Sequence, residues 1–252
     1  GVGIAERAYQ QALAYAKDRK QGRAINMNDH GPHAIIHHPD VLRLLTSMRA
    51  EIEAMRALLL IGGFSLDMAH AGNGGDADFW QTRANLLIPV IKGWMTERSL
   101  QVTSDAVQVH GGMGFIEETG AAQHLRDARI LPIYEGTTAI QANDLIFRKT
   151  LRDNGDAVRT LLAEIRDDMG QIAGGGNGVA GLAGSISAAC DTAETVLDTV
   201  LARANAPRDA AASGTDFLMM LGYLTGGWQL ARGAAAAATA QAAGEGDPAF
   251  MT

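Results

Sequence analysis

The chain has 252 residues, enough for one or two domains with a sizeable core. Apolar residues make up 47% and charged residues 19%; the net charge is −7 with no lysine/arginine run, which argues against a nucleic-acid partner. The lone cysteine, Cys190, excludes an internal disulfide and fits a cytoplasmic setting, and no apolar run is long enough to span a membrane.

In chain order, residues 2–20 place Val2, Ala5, Tyr9, Ala12, Leu13 and Ala16 near one helix face, and Gly22 ends that helix. Residues 22–39, with glycine, proline and asparagine, read as a loop. Val41, Leu44, Leu45, Met48, Ile52, Met55, Leu58 and Leu59 keep i, i+3, i+4, i+7 spacing. That spacing predicts a helix to about residue 71, with Pro39 and Asp40 suited to its first turn. AGNGGD is then a loop. A third long helix is expected over about 79–109, kinked or split at Pro89, which lacks a backbone donor. HGGMGFIEETG, 110–120, reads as a glycine-punctuated loop, and 121–128 as a short helix. ILPIYEG is expected to be extended, because Pro132 biases Leu131 away from helical angles. Thr137 or Thr138 can cap a helix running to about Leu151.

Past residue 152 alanine and glycine rise and polar residues with chemical potential thin out. Three amphipathic helices are expected over about 154–173, 181–205 and 208–242, with GGGNG as a flexible connector. No segment has the period-two alternation of a strand. The fold class is all-α: an up-and-down four-helix-bundle-like domain over 1–151, then a second helical bundle as an extension over 152–252. The chain opens in helical rhythm without an initiator methionine, and GEGDPAFMT at its close reads as a segment just beginning. Both ends suggest a piece of a longer protein.

Six features bear on possible chemistry. The glycines of HGGMGF let backbone N–H groups approach a ligand, although on these residues alone a glycine-rich turn capped by His110 is the favoured reading. Arg126, Asp127 and Arg129 suit an exposed ion-pair network, and Arg129 could instead position the loop ahead of it. His30, His33, His37 and His38 cluster in one loop without a carboxylate or thiolate at ligand spacing, so no metal site is assigned. His70 and Asp67, one turn apart, suit a surface pair, and Cys190 suits a small core residue. Glu135, in IYEGTTAIQ, is either a carboxylate stabilised by a helix start or a general base beside a glycine that leaves room for a ligand. Spacing alone leaves both readings open.

AYAKDRKQG, SDAVQVHGGMGFIEE and LRDARILPIYEGTTAIQ, in that order, resemble the C-terminal helical domain of the acyl-CoA dehydrogenase family over residues 1 to about 150. DRKQGRA, the long loop and HHPDV look most similar to the subgroup that includes 3-methylmercaptopropionyl-CoA dehydrogenases. Its members carry a further helical extension, which 152–252 would match. The resemblance implies an FAD enzyme that oxidises an acyl-CoA thioester to the 2,3-enoyl-CoA. Glu135 matches the family's glutamate, which takes the α-proton while the β-hydrogen leaves as hydride to the flavin. In the family a backbone N–H at the glutamate and a flavin ribityl hydroxyl polarise the thioester carbonyl. Gly136 matches a position beside the substrate, and Thr137, Thr138 and Ala139 match positions contacting FAD. Gln108, Val109, His110, Gly111 and Gly112 match the segment lining the adenosine-pyrophosphate part of FAD, commonly from a neighbouring subunit. Arg19 matches an arginine that reaches FAD across that interface. The resemblance further implies an electron-transfer flavoprotein or similar acceptor and a homodimer or homotetramer.

Two departures stand out. RKQG lacks the usual aromatic residue beside Arg19, and the glutamine usual about eleven residues later is missing. The family's N-terminal helical and middle β-domains are not in this sequence, so the chain is expected to hold the base yet bind FAD weakly or not at all. The alternative is a non-catalytic helical module related to the family, and a metal-binding helical protein rests on the histidine loop alone.

Overall fold

The structure, a computed structural model, describes residues 1–25, 27, 30–72, 75–174 and 179–247. Among them are ten α-helices and no strand, so the chain is all-α as expected. The helices are α1 (Val2–Asp18), α2 (Pro39–Ala71), α3 (Gly75–His110), α4 (Gly112–Phe115), α5 (Ala121–Arg129), α6 (Thr138–Asn143), α7 (Asp156–Ala173), α8 (Val179–Leu201), α9 (Pro207–Ala212) and α10 (Gly214–Ala242). Short 3-10 turns cover Ile35–His37 and Glu117–Thr119, and a π turn over Asp144–Arg148 continues α6. By contacts the chain forms two compact units, Gly1–Arg56 with Trp94–Thr138, and Ala57–Gly93 with Ala139–Thr252.

In the first unit α1 buries Ala5, Ala8, Ala12 and Ala16, small residues that let α5 approach with its own Ala121 and Ala128. Gln11 ties the two together: its amide donates to the Thr119 carbonyl at 2.5 Å and accepts from His124 Nε2 at 2.9 Å. The apolar stripe of α2 is buried here at Leu44, Leu45, Met48, Ile52 and Met55. Arg98 of α3 forks onto Glu51 of α2, with Nε and Nη2 at 3.1 and 2.6 Å.

In the second unit α7 packs on α8, and α10 packs on both. Val158, Leu161, Leu162, Ile165 and Met169 are buried with Ala183, Cys190, Ala193, Leu197 and Val200 in an apolar interior that also holds Phe217, Leu221 and Trp228. Asp153 caps α7, its carboxylate accepting from the backbone N–H groups of Gly155 and Ala157 at 3.0 Å each. Arg83 is buried between the rings of Trp80 and Trp228, at 5.3 and 5.4 Å, and pairs with Glu164 at 2.8 Å. Trp228 Nε1 donates to Asp168 at 2.7 Å.

Several expectations are corrected. Of the kink or split expected at Pro89, the split does not occur: α3 is continuous from Gly75 to His110, and the missing donor is offset by the buried packing of Leu86, Leu87 and Val90. Gly75 and Asp76 belong to α3 rather than to the preceding loop. Residues 110–120 contain the helical turn α4, and ILPIYEG is folded into turns rather than extended. There the N–H groups of Leu131, Ile133 and Tyr134 donate back to Ala128 and Ile130, which outweighs the bias before Pro132. The helix expected over 208–242 is broken at Ser213, whose hydroxyl donates to Ala210. Leu59 is 48% exposed although it shares the sequence spacing of its buried neighbours. His70 donates to the Leu66 carbonyl, one turn back, at 2.9 Å rather than pairing with Asp67. Asn26, Asn28, Asp29, Asn73, Gly74, most of GGGNG and residues 248–252 lie outside the described residues.

Candidate active-site turn and glycine segment

Glu135 stands in the turn between α5 and α6. Its φ is +52°, in the left-handed region, and Gly136 follows at +90°. A left-handed L-residue costs about 1–2 kcal/mol, and such strain persists only where the surroundings over-determine it. Here the turn is closed by a backbone bond, the Thr138 N–H donating to the Pro132 carbonyl at 3.2 Å. Thr138, the first residue of α6, is buried at 8% exposure, and its hydroxyl donates to Glu97 Oε1 of α3 at 2.6 Å. The Glu135 side chain is exposed and makes no hydrogen bond or ion pair among the described residues. Gly136 is half-buried, and Thr137 and Ala139 are exposed on either side of Thr138. A free carboxylate on a fixed, strained backbone next to a glycine has the make-up of a proton acceptor for a ligand seated against it.

The glycine segment follows the end of α3. Gln108 is exposed and Val109 buried. His110 is buried, its Nδ1 donating to the Ala106 carbonyl at 2.7 Å and its ring tilted 31° against that of Tyr15 with centroids 4.5 Å apart. Gly111 takes φ +61° and ψ −142°, a conformation all but reserved for glycine. A Cβ on Gly111 or Gly112 would meet nothing within 4 Å, so the backbone there is open to a ligand. That openness suits a group carrying phosphates, as does the exposed guanidinium of Arg19 at the end of α1, whose one hydrogen bond among the described residues goes to Gln21 Oε1 at 3.3 Å. Gly114, by contrast, is packed: a Cβ would overlap the Val107 carbonyl oxygen. Beside it Phe115 is 83% exposed, with Met113 and Ile116 also exposed.

The histidine loop holds itself together with backbone. His33 Nδ1 accepts from the Ala24 N–H at 3.0 Å, and His38 Nε2 donates to the Gln21 carbonyl at 2.8 Å. Among the described residues no group of three or more His, Cys, Asp or Glu could hold a metal. Among the described residues no helix is long and apolar enough to cross a membrane. Arg126 pairs with Glu117 at 2.8 Å, whereas Arg129 makes no hydrogen bond or ion pair among the described residues and so does not tether the Glu135 turn. Cys190 is fully buried, and burial pushes its thiol above the ordinary range. Sequence reasoning missed Glu97. Its signal is register: it lies one helical repeat after Val90 and one turn after Trp94, both buried, so a carboxylate occupies the inward stripe of α3.

Comparison with known proteins follows the same segments. A family described as acyl-CoA dehydrogenase, C-terminal domain, matches residues 1–149, and one described as acetyl-CoA dehydrogenase C-terminal like matches residues 161–252. The 3-methylmercaptopropionyl-CoA dehydrogenase of Ruegeria pomeroyi is 48% identical across 100% of the chain, which spans 43% of that protein. The broad-specificity linear acyl-CoA dehydrogenase FadE5 of Mycobacterium tuberculosis is 36% identical over 94% of the chain and 40% of its own length. Among solved structures, Caenorhabditis elegans ACDH-11 in complex with C11-CoA matches 99% of this chain and 39% of that one, with a TM-score of 0.74 at 18% identity. A Bacillus anthracis acyl-CoA dehydrogenase complexed with FAD matches 97% of this chain and 42% of that one, with a TM-score of 0.68 at 17% identity. At these identities the two structures speak for the fold alone.

Proposed function

Because the chain belongs to the acyl-CoA dehydrogenase family, we propose that it is the base-bearing part of an FAD-dependent oxidoreductase acting on acyl-CoA thioesters. Residues 1–151 form its C-terminal helical domain and 152–252 a helical extension. Glu135 takes the α-proton of the thioester, the β-hydrogen departs with its electron pair, and a double bond forms between the two carbons. Bound FAD would supply the hydride acceptor. The observation that carries the reading is the Glu135 turn: an unpartnered, exposed carboxylate on a left-handed residue, followed by a glycine and closed by Thr138. The thioester class is supported by relatives named for acyl-CoA substrates that are 48% and 36% identical.

The protein's own groups do the rest. Gly136 leaves the carboxylate's approach open. The backbone N–H of Glu135 polarises the thioester carbonyl, which stabilises the charge that develops as the α-proton leaves. Gln108, Val109, His110, Gly111 and Gly112 line the adenosine-pyrophosphate part of FAD, with the open backbone at Gly111 and Gly112, and Arg19 supplies a cation. Thr137, Thr138 and Ala139 frame the flavin end. In this reading the exposed Phe115 patch is covered by a second copy, in a homodimer or homotetramer, and an electron-transfer flavoprotein or similar acceptor reoxidises the cofactor. The chain spans about two-fifths of the length of its curated relatives, so the remainder of both pockets would come from other segments and firm FAD binding would require them.

The test uses the full-length flavoprotein with Glu135→Gln. Mixed anaerobically with acyl-CoA, the variant should keep its bound FAD and lose flavin bleaching. Bleaching at the unmodified rate would remove Glu135 from the role of base.

A further inference from the structure

The turn that carries Glu135 is pinned from another helix. Thr138 has two donors and both are committed inside the protein: its N–H to the Pro132 carbonyl at 3.2 Å and its hydroxyl to Glu97 Oε1 at 2.6 Å. A hydroxyl–carboxylate bond of that length is charge-assisted and about twice as strong as a neutral one. The acceptor is itself held. Glu97 precedes Arg98, whose forked bond to Glu51 fixes this stretch of α3 against α2. Residues 132–138 therefore form a loop anchored at its exit by two hydrogen bonds, with both left-handed residues, Glu135 and Gly136, inside it.

We propose that Glu97 is a positioning residue for Glu135, acting through Thr138. The inference rests on the reading of Glu135 as the base and divides labour between two carboxylates. Glu97 is engaged as an acceptor, and Glu135 is left without a partner. The physical reason is strain. A glutamate at φ +52° relaxes toward a right-handed conformation once its loop is free to move, and that relaxation swings the carboxylate away from its working position. A displacement of about 1 Å costs roughly a hundredfold in rate where proton transfer depends on placement. The resemblance puts Thr138 among the FAD contacts. With both donors engaged, its larger contribution is the link between α3 and the catalytic turn.

The experiment uses the full-length flavoprotein, carrying Thr138→Val, Thr138→Ser, Glu97→Leu, Glu97→Gln or the Thr138→Val/Glu97→Leu pair, with Glu135→Gln alongside. Anaerobic flavin reduction is followed across acyl-CoA concentrations, which separates the limiting rate from the apparent affinity. Thr138→Val, close to isosteric, is the decisive variant. Its limiting rate should fall by about tenfold or more while affinity changes by less than about threefold. Glu97→Leu should lose the same factor and the double variant no more than either single change, because all three break one link. Thr138→Ser and Glu97→Gln, which restore a donor and an acceptor, should recover most of the rate. Any of three results overturns the positioning role: an unmodified limiting rate in Thr138→Val, losses that multiply in the double variant, or no recovery with serine. If Glu135→Gln itself reduces flavin normally, the base assignment fails first. If it is inactive while Thr138→Val is unimpaired, the positioning role alone fails.

Discussion

Replacing Arg83 by methionine should leave stability almost unchanged, whereas replacing its partner Glu164 by alanine should cost several kcal/mol. Arg83 is 7% exposed, pairs with Glu164 through Nη1 at 2.8 Å, and lies between Trp80 and Trp228. Its Nε and Nη2 are buried with no hydrogen-bond partner. The charged hydrogen bond contributes about 1.5–3 kcal/mol and each ring about 0.5–2. Two orphaned donors oppose this at about 1–3 kcal/mol each. The terms overlap, so the net worth of the guanidinium is near zero, and methionine keeps most of the stem's packing. Glu164→Ala is different because it leaves a buried cation without its counter-charge, at about 3–5 kcal/mol. Urea unfolding followed by circular dichroism should show a clear fall in midpoint for Glu164→Ala at unchanged slope, with Arg83→Met within about 1 kcal/mol of the parent. The double variant should resemble Arg83→Met. An Arg83→Met midpoint as low as that of Glu164→Ala would overturn this balance, since the guanidinium would then be a net stabiliser despite its orphaned donors.

Gly114→Ala sets a Cβ against the Val107 carbonyl oxygen and 2.8 Å from His110 Cβ, so α4 must shift. That overpacking should cost about 1–3 kcal/mol and lower the FAD content per chain of the full-length protein, read from its absorbance. His124 has its pKa lowered, first by burial and then by the Arg7 charge. Its neutral form is therefore favoured by folding: the stability it contributes is present above the unfolded value of about 6.5 and is lost as pH falls below that toward the folded value. His124→Gln should shallow the drop in melting temperature between pH 7.5 and 5.5, and an unchanged drop would contradict that. Cys190 is fully buried, and burial raises its thiol pKa, so iodoacetamide at pH 8 should label it only as fast as the protein opens. Rapid native-state labelling would contradict this.

Much of the fold follows from local pattern. The stripe Leu44, Leu45, Met48, Ile52 and Met55 is buried where its spacing puts it, and the alanines of α1 mark a face made for close approach. Where pattern misled, longer-range contacts decided. Pro89 lies in a buried stretch whose packing holds the helix through the missing bond, and Leu59 shares a periodicity without a partner surface. The α3 stripe carries two charged residues, Arg83 and Glu97, seven positions either side of Val90. Periodicity could have flagged them, because a charge on an inward stripe needs a partner. Their partners could not be read, since Glu164 and Thr138 are separated from them by 81 and 41 residues. The candidate site divides the same way. HGGMGF and YEGTT stand out as motifs, and the glycine conformations are foreseeable. The left-handed backbone at Glu135 is not, because glutamate has no intrinsic preference for it and the loop closure imposes it.

Removal of the α-proton by Glu135 can be isolated from the rest of the reaction with an acyl-CoA whose β-carbon bears no hydrogen. Proton removal can then occur but hydride transfer cannot. Incubated in deuterium oxide with the full-length flavoprotein, such a thioester should exchange its α-hydrogens, as followed by NMR, and Glu135→Gln should abolish that exchange. Exchange at an undiminished rate in Glu135→Gln would show that another group takes the proton.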